Sequence, residues 1–219
     1  KTEDQGIHRD LYALKSESYF GGARTDYVDR LPESSTARIL ELGCGSGATG
    51  ALALARGKCV EYIGVEVFEP MAAKAAEVLT KVHLGNVETM DLPYTPAHFD
   101  ALIMSEVLEH LVNPEAVVAK LMRLIKPGGL VFASSPNIAH WRVISKLARG
   151  SFQYENQGVM DESHVHWFTP TSFEAMFNDN GVATRSIGPI GTPRLPYRLA
   201  PRAFRHLFVT QINFVGCKQ

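Results

Sequence analysis

The stretch ILELGCGSGATGALALARG, residues 39–57, decides the fold. It completes the apolar run RILEL (38–42), breaks into Gly43, Gly45 and Gly47, and continues at once into a helical pattern over Ala48–Arg56. An apolar run, a glycine turn and a helix in direct succession open a parallel β-α-β unit. Glycines let the backbone turn sharply and approach a bound molecule closely. The GxGxG spacing differs from the GxGxxG of dinucleotide sites, and no GK[ST] follows, which disfavours a phosphate-cradling loop. Glu66 ends the next apolar run, where a carboxylate can accept hydrogen bonds from both hydroxyls of a ribose. The loop by itself would mean no more than a strand-to-helix turn. Loop and carboxylate together specify a nucleoside-like cofactor.

Outward from this unit, strand patterns fall at 38–42, 61–67, 81–85, 99–104, 129–135, 182–188 and 208–216, with helices at Ala48–Arg56, Pro70–Leu79, Pro114–Ile125 and Thr171–Asn180. Their alternation is that of a parallel sheet with helices on both faces. Pro70 and Pro114 suit a first helical turn, and Gly181 suits a left-handed terminator. KPGG (126–129) reads as a tight turn feeding a buried strand. Two regions interrupt the alternation. One is a lead of about 35 residues, and the other is an insertion at 136–170 rich in Trp, Phe, Tyr and His. Long non-scaffold segments in a compact domain are often lids or binding loops.

A length of 219 residues supports one domain, and a formal net charge of −1 argues against a general nucleic-acid binder. The charge is unevenly placed. No Asp or Glu follows Asp179, whereas Arg185, Arg194, Arg198, Arg202, Arg205 and Lys218 do, so the tail is basic and the body acidic. Within the tail, 194–209 is basic, aromatic and proline-broken, as either a solvated connection or a contact for a phosphate, a nucleotide-sugar or an anionic lipid surface. Cys44, Cys59 and Cys217 are odd in number and lack CxxC spacing, which points to a reduced, cytoplasmic setting. No apolar run reaches the ~20 residues of a membrane-spanning helix. The opening KTEDQGIHRD is too polar for a signal peptide, while the absence of an initiator Met leaves room for residues ahead of Lys1.

The motifs ELGCGSG (41–47), GVEVFEP (64–70), GNVETMDLP (85–93), FDALIMSEVLEHL (99–111) and LIKPGGLVF (124–132) give the chain its resemblance to the class I S-adenosylmethionine-dependent methyltransferases, over roughly Arg24 to Gly188. The resemblance implies an α/β fold: a Rossmann-like, doubly wound, seven-stranded and mostly parallel sheet with an antiparallel last strand and an insertion after the fifth. It implies a single methyltransferase domain, with a cap at 1–35, a cofactor-binding core at 36–135, a substrate insertion at 136–170 and the rest of the sheet at 171–219. It further implies that Glu41, Gly43, Gly45 and Gly47 line the cofactor's methionine and ribose, and that Glu66 clamps the ribose. Asn86 and Val87 would lie near the adenine; Asn86 stands where the family usually has Asp. Ser105 would sit beside the methionyl group. Asn86 and Ser105 read equally as a turn residue and a helix cap. Tyr19 and Phe20 would close over the cofactor from the lead.

SEVLEH, residues 105–110, follows the apolar run ALIM. A helical turn starting near Ser105 would put Glu106, Glu109 and His110 at i, i+3 and i+4 on one face, past the carboxyl end of a strand where open α/β sheets bind ligands. Two carboxylates and an imidazole suit Mg²⁺, Mn²⁺ or Fe²⁺ better than structural Zn²⁺. ExxEH followed by HxxxxT resembles two branches of the family, the small-RNA terminal 2′-O-methyltransferases and the ubiquinone-pathway O-methyltransferases. That likeness implies a metal held by Glu106, Glu109, His110 and a distal His. Counting back from Thr169, the distal residue is His164, with His166 the weaker substitute. EVLEH also occurs in relatives for which no metal is expected, where Glu106 bonds near the cofactor and His110 packs against the sheet. In a metal-free site, His110 or His164 serves as general base, with Glu109 beside it.

The insertion supplies His140, Trp141, Phe152, Tyr154, Trp167 and Phe168, as stacking faces for an acceptor or as core. The expected activity is methyl transfer to a hydroxyl of a small molecule, a sugar, phenol or secondary metabolite, from S-adenosylmethionine and with a divalent metal such as Mg²⁺ assisting. Two alternatives remain: an RNA-terminal 2′-O-methyltransferase, disfavoured by the acidic body, and a non-catalytic cofactor-binding protein on the same fold, disfavoured by the intact loop and Glu66.

Overall fold

The computed structural model describes residues 22–191 and 195–219. Tyr19, Phe20 and Arg194 therefore lie outside the described residues. Two compact units divide the chain: the first comprises residues up to Ile103 together with Arg123–Gly129, the second Met104–Met122 together with Leu130–Gln219.

In the first unit, α1 (Thr25–Val28) leads to β1 (Arg38–Leu42), α2 (Ala48–Ala55), β2 (Glu61–Glu66), α3 (Glu69–Ala76) and β3 (Lys81–Leu84). β1 and β3 both pair with β2 in parallel, with Glu41 opposite Gly64 and Glu66 opposite Leu84. Four of the five β1 residues are buried, as a strand covered on both faces requires. α3 starts on Glu69 with Pro70 in its first turn and ends three residues short of the expected Leu79.

The second unit holds a 3-10 turn (Leu108–His110), α4 (Pro114–Met122), α5 (Trp141–Ala148), α6 (Pro170–Asn178), β6 (Val182–Pro189), α7 (Leu195–Leu199), a second 3-10 segment (Arg202–Phe208) and β7 (Gln211–Lys218). Thr169 caps α6 through a reciprocal bond with Ser172, and Gly181, at φ +74°, follows its end as expected. Phe177 stacks on Phe214 at 4.4 Å and meets Phe173 edge-on at 5.3 Å, the aromatic centre of this unit's core.

Both β4 (Phe99–Ser105) and β5 (Ile125–Pro136) continue from one unit into the other. The seven strands are ordered β3-β2-β1-β4-β5-β7-β6, and β7 runs antiparallel to both β5 and β6. This is the expected Rossmann-like sheet with its reversed final strand. Among the described residues, no helix is long and apolar enough to cross a membrane.

Three local expectations are corrected. β5 begins at Ile125 and takes in KPGG, because α4 stops at Met122 and Gly128, at φ +80°, bends the chain without ending the strand. β7 begins at Gln211 rather than 208, since the preceding residues wind into the 3-10 segment. No helix starts at Ser105. That residue ends β4, and Glu106 takes φ +52°, a left-handed conformation unusual for a residue with a side chain.

Gly64 owes its identity to packing rather than to backbone angles. A Cβ there would lie 2.5 Å from Cys44 Sγ and 2.9 Å from Leu79 Cδ1. Gly64→Ala is expected to cost about 1–3 kcal/mol, read as a lower urea midpoint at unchanged slope.

Candidate functional site

In the first unit the glycine loop is fastened by β2. Val65 O accepts from Gly43 N at 2.8 Å, and the loop closes on itself through Gly47 N to Cys44 O at 2.9 Å. Gly43, Gly45 and Gly47 have φ of +69°, +52° and +82°, so each occupies the region only glycine enters cheaply. Glu66 Oε2 accepts from Gly45 N at 2.9 Å, while Oε1 accepts from Val67 N and Phe68 N, each at 2.9 Å. One carboxylate thereby joins the loop to the chain leaving β2. Burial pushes its pKa up, against the pull of those three backbone donors.

Glu41 lies beneath the loop at 3 % exposure and accepts from the Tyr62 hydroxyl at 2.9 Å. Burial lifts its carboxyl to about 8, opposed by bonds from Tyr62 and Thr49 and aided by the Glu66 charge. Thr49 Oγ1 also accepts from Arg24 N at 3.2 Å. The Arg24 guanidinium pairs with Asp26 at 2.9 Å and lies 3.6 Å over the Tyr27 ring. Burial and the charges of Glu41 and Glu66 also raise the Cys44 thiol. Asn86 builds a turn: its Oδ1 accepts from Glu88 N at 2.8 Å and its carbonyl from Met90 N at 2.9 Å, with Val87 buried beside it. The cradle of left-handed glycines over buried carboxyls fits a cofactor with a ribose and a cationic end.

In the second unit SEVLEH divides. Ser105 Oγ meets Ser134 Oγ at 3.2 Å, and Glu106 N donates to Ser134 O at 3.0 Å. Glu109, His110 and His164 converge, each offering one ligand atom within 4.8 Å of the others, all three buried. Glu106 is not on a helix face with Glu109 and is not one of these three. Its charge nevertheless helps raise the Glu109 pKa, after burial and ahead of Asp161. Glu109 Oε2 accepts from Ser135 Oγ at 3.1 Å, and its buried Oε1 has no hydrogen-bond partner among the described residues. The Glu109 carbonyl accepts from Val165 N at 2.9 Å and His166 N at 3.0 Å, which holds the 161–168 loop beside it.

Each imidazole of the cluster is oriented by a backbone carbonyl. His110 Nδ1 lies 3.1 Å from Ser163 O and His164 Nδ1 lies 3.2 Å from Val159 O. A carbonyl can only accept, so both Nδ1 atoms carry hydrogen and the neutral rings place their lone pairs on Nε2. The rings meet edge-on with centroids 4.9 Å apart. His166 is directed elsewhere, with Nε2 3.0 Å from Val112 O. Sequence reasoning missed Asp161, whose buried Oδ1 accepts from Ser163 N at 2.9 Å and Ser163 Oγ at 2.6 Å, while its carbonyl accepts from His164 N at 3.1 Å. Asp161 thus sets the turn that presents both the Ser163 carbonyl and His164. The donor set fits a divalent cation: a buried carboxylate oxygen with no hydrogen-bond partner among the described residues, and two imidazoles held by carbonyls through Nδ1.

The aromatics of the insertion separate as well. Phe168 joins Phe173 in the core at 5.1 Å. Phe152, Tyr154 and Trp167 cluster at 5.5–6.5 Å, with Phe152 and Tyr154 exposed.

Residues 17–187 match the profile of the family described as methyltransferase domain. A ubiquinone biosynthesis O-methyltransferase of Xylella fastidiosa (strain M23) is 25% identical over 98% of this chain and 84% of its own length. Its counterpart in Dechloromonas aromatica (strain RCB) is 34% identical over 52% of this chain and 50% of its own. Among solved structures, a SAM-dependent methyltransferase from Archaeoglobus fulgidus superimposes with a TM-score of 0.65 at 17% identity, covering 92% of this chain and 97% of that one.

Glu41 predicts a pH dependence. Its folded pKa of about 8 exceeds its ordinary value of 4.5, so the native state holds more protons than the unfolded state between them. Its contribution to stability is complete below 4.5 and is lost as pH rises through about 8. Glu41→Gln is expected to flatten that decline, seen as a smaller loss of urea midpoint from acid to mildly alkaline pH than in the wild type.

Proposed function

Because the chain belongs to the methyltransferase-domain family, as a class I S-adenosylmethionine-dependent methyltransferase, we propose that it methylates a hydroxyl of a small molecule held at the Glu109–His110–His164 cluster. The observation that carries this reading is that cluster's buried, preoriented donor set. An aliphatic hydroxyl keeps its proton tightly and gains from a base or a cation, whereas alignment alone serves more acidic acceptors. In the transfer the acceptor oxygen bonds the methyl carbon, the carbon–sulfur bond breaks with its electrons returning to sulfur, and the hydroxyl proton passes to a base.

Glu41, Gly43, Gly45, Gly47 and Glu66 are assigned to the cofactor, with Asn86, Val87 and Ser105 as further contacts. A divalent cation such as Mg²⁺, held by Glu109, His110 and His164 with Glu106 adding negative charge, would lower the pKa of the acceptor hydroxyl. Asp161 and Ser163 fix the imidazoles, and Ser135 fixes Glu109. The exposed faces of Phe152 and Tyr154 suit a ring or sugar acceptor. The relatives named for O-methylation in ubiquinone biosynthesis support an oxygen acceptor. The Nδ1–carbonyl bonds also support a second reading, in which Nε2 of His110 or His164 takes the proton without a metal.

Two measurements test the proposal. S-adenosylmethionine at about 100 times its Kd is expected to stabilise the protein by about 2.7 kcal/mol, and no thermal shift at millimolar ligand would remove the assignment. His164→Ala is expected to lower methyl transfer to hydroxylated acceptors by about 10²–10⁴-fold while leaving the cofactor-induced shift in place. Calorimetric titration with Mn²⁺ then separates the two readings. Metal uptake that His164→Ala abolishes supports the cation, and absence of uptake with activity indifferent to chelator supports the histidine base.

A further inference from the structure

Between α5 and α6 three aromatic rings gather at the surface instead of in the core. Phe152 and Tyr154 are 52% and 56% exposed and meet edge-on at 5.5 Å. Trp167 closes the group, 6.2 Å from Phe152 and 6.5 Å from Tyr154. Its buried indole N–H has no acceptor among the described residues. Buried donors are nearly always paired, so this one calls for an oxygen that the surrounding chain does not supply.

Both ends of the group are fastened to the loop that presents His164. Glu155, next to Tyr154, donates its N–H to Met160 O at 2.7 Å, and its carbonyl accepts from Glu162 N at 3.1 Å. Trp167 directly follows His166, whose N–H lies 3.0 Å from Glu109 O. Even at full chain extension Trp167 is within ~11 Å of His164, so a small ring system can reach from the aromatic group to the Glu109–His110–His164 cluster.

The surroundings select the chemistry of that ring. Gln153, Asn156 and Gln157 are exposed in the same stretch, and an amide both donates and accepts, as a sugar hydroxyl does. No Lys or Arg occurs between Arg149 and Arg185, whereas Glu155, Asp161 and Glu162 do. Lys146 of α5 is paired with Glu155. This stretch therefore gives a phosphate or carboxylate no cation to bind. Ring faces left half in water also disfavour a flat phenol, which gains most from a closed slot that buries it on both sides. A pyranose lays one C–H face on an aromatic ring and keeps its hydroxyls for water and amides.

We propose that Phe152, Tyr154 and Trp167 form the binding site for an uncharged pyranose, the ring that carries the acceptor hydroxyl to the Glu109–His110–His164 cluster. This rests on the O-methylation reading of that cluster. One face of the sugar lies on Phe152 or Tyr154, and one of its oxygens takes the Trp167 N–H. Its acceptor oxygen bonds the methyl carbon of S-adenosylmethionine, the carbon–sulfur electrons return to sulfur, and the hydroxyl proton passes to a base of the cluster.

Trp167 can report on its own site, because the chain has two tryptophans and Trp141→Phe leaves it as the sole emitter. The test titrates this full-length variant with methyl α-glucoside, methyl α-galactoside, methyl α-mannoside and methyl α-rhamnoside. At least one is expected to shift the Trp167 emission at millimolar concentration and, with S-adenosylmethionine and wild-type protein, to gain one methyl group. For that glycoside Tyr154→Ala should raise KM at least ~10-fold with kcat little changed. Tyr154→Phe, which keeps the ring, should restore KM, and Trp167→Phe should raise it about fivefold. All three variants must keep the wild-type thermal shift with S-adenosylmethionine, which separates a lost sugar site from a lost fold or cofactor site. The proposal is overturned if none of the four glycosides moves the emission, or if Tyr154→Ala leaves KM unchanged. Methyl transfer to catechol without any response from Trp167 overturns the sugar while O-methylation stands. An emission shift with no methyl gain overturns the acceptor role together with the O-methylation reading beneath it.

Discussion

Three backbone N–H groups converge on the Glu66 carboxylate, and the cofactor half of the molecule depends on that convergence. Gly45 belongs to the loop after β1, whereas Val67 and Phe68 lead out of β2 towards α3. Unpaired, the buried Gly45 N–H would cost about 1–3 kcal/mol, and the part-buried Val67 and Phe68 N–H groups would cost less. The carboxylate satisfies them together, so the loop's position is set by a side chain as well as by the strand pairing beneath it. Such a brace accounts for the tolerance of three left-handed glycines in succession without a disordered turn. It also makes the residue assigned to the ribose the residue that shapes the loop.

In the second unit the corresponding constraint is carried by backbone carbonyls. His110 and His164 lie 54 positions apart in the chain, yet both are held through Nδ1 by carbonyls of the 159–163 region. Asp161 sets that region's turn, and the Glu109 carbonyl receives the next two amides. A network of this kind fixes tautomer and ring direction before anything binds, so little reorganisation is required of the site.

Much of this was legible in the chain, and the exceptions have physical causes. RILEL followed by glycines and an alanine-rich helix can form little else, and it fixed β1, the loop and α2 to within a residue. The spacing back from Thr169 singled out His164 over His166, and the structure directs those two rings to different partners. The helix expected from Ser105 failed because nothing in the identity of Glu106 announces a left-handed backbone. That conformation accompanies the bond from Glu106 N to Ser134 O, a partner 28 positions away. Asp161 and Ser163 were invisible for a related reason: Ser163 holds His110 through a carbonyl that any residue possesses, and the Asp161 carboxylate acts on that histidine only through the local turn it braces. Among the insertion's aromatics, composition could not separate Phe168, which packs on Phe173, from Trp141, which faces outward.

Cys44 lies within the loop assigned to a methyl sulfonium, a reagent that alkylates good nucleophiles. The reactive form of cysteine is the thiolate, and here burial, reinforced by the Glu41 and Glu66 charges, holds the sulfur in its neutral state. Desolvation of the loop therefore keeps this sulfur atom from being a ready nucleophile beside the site proposed for the cofactor. The sulfur also packs so closely on the neighbouring strand that a Cβ at Gly64 would lie 2.5 Å from it.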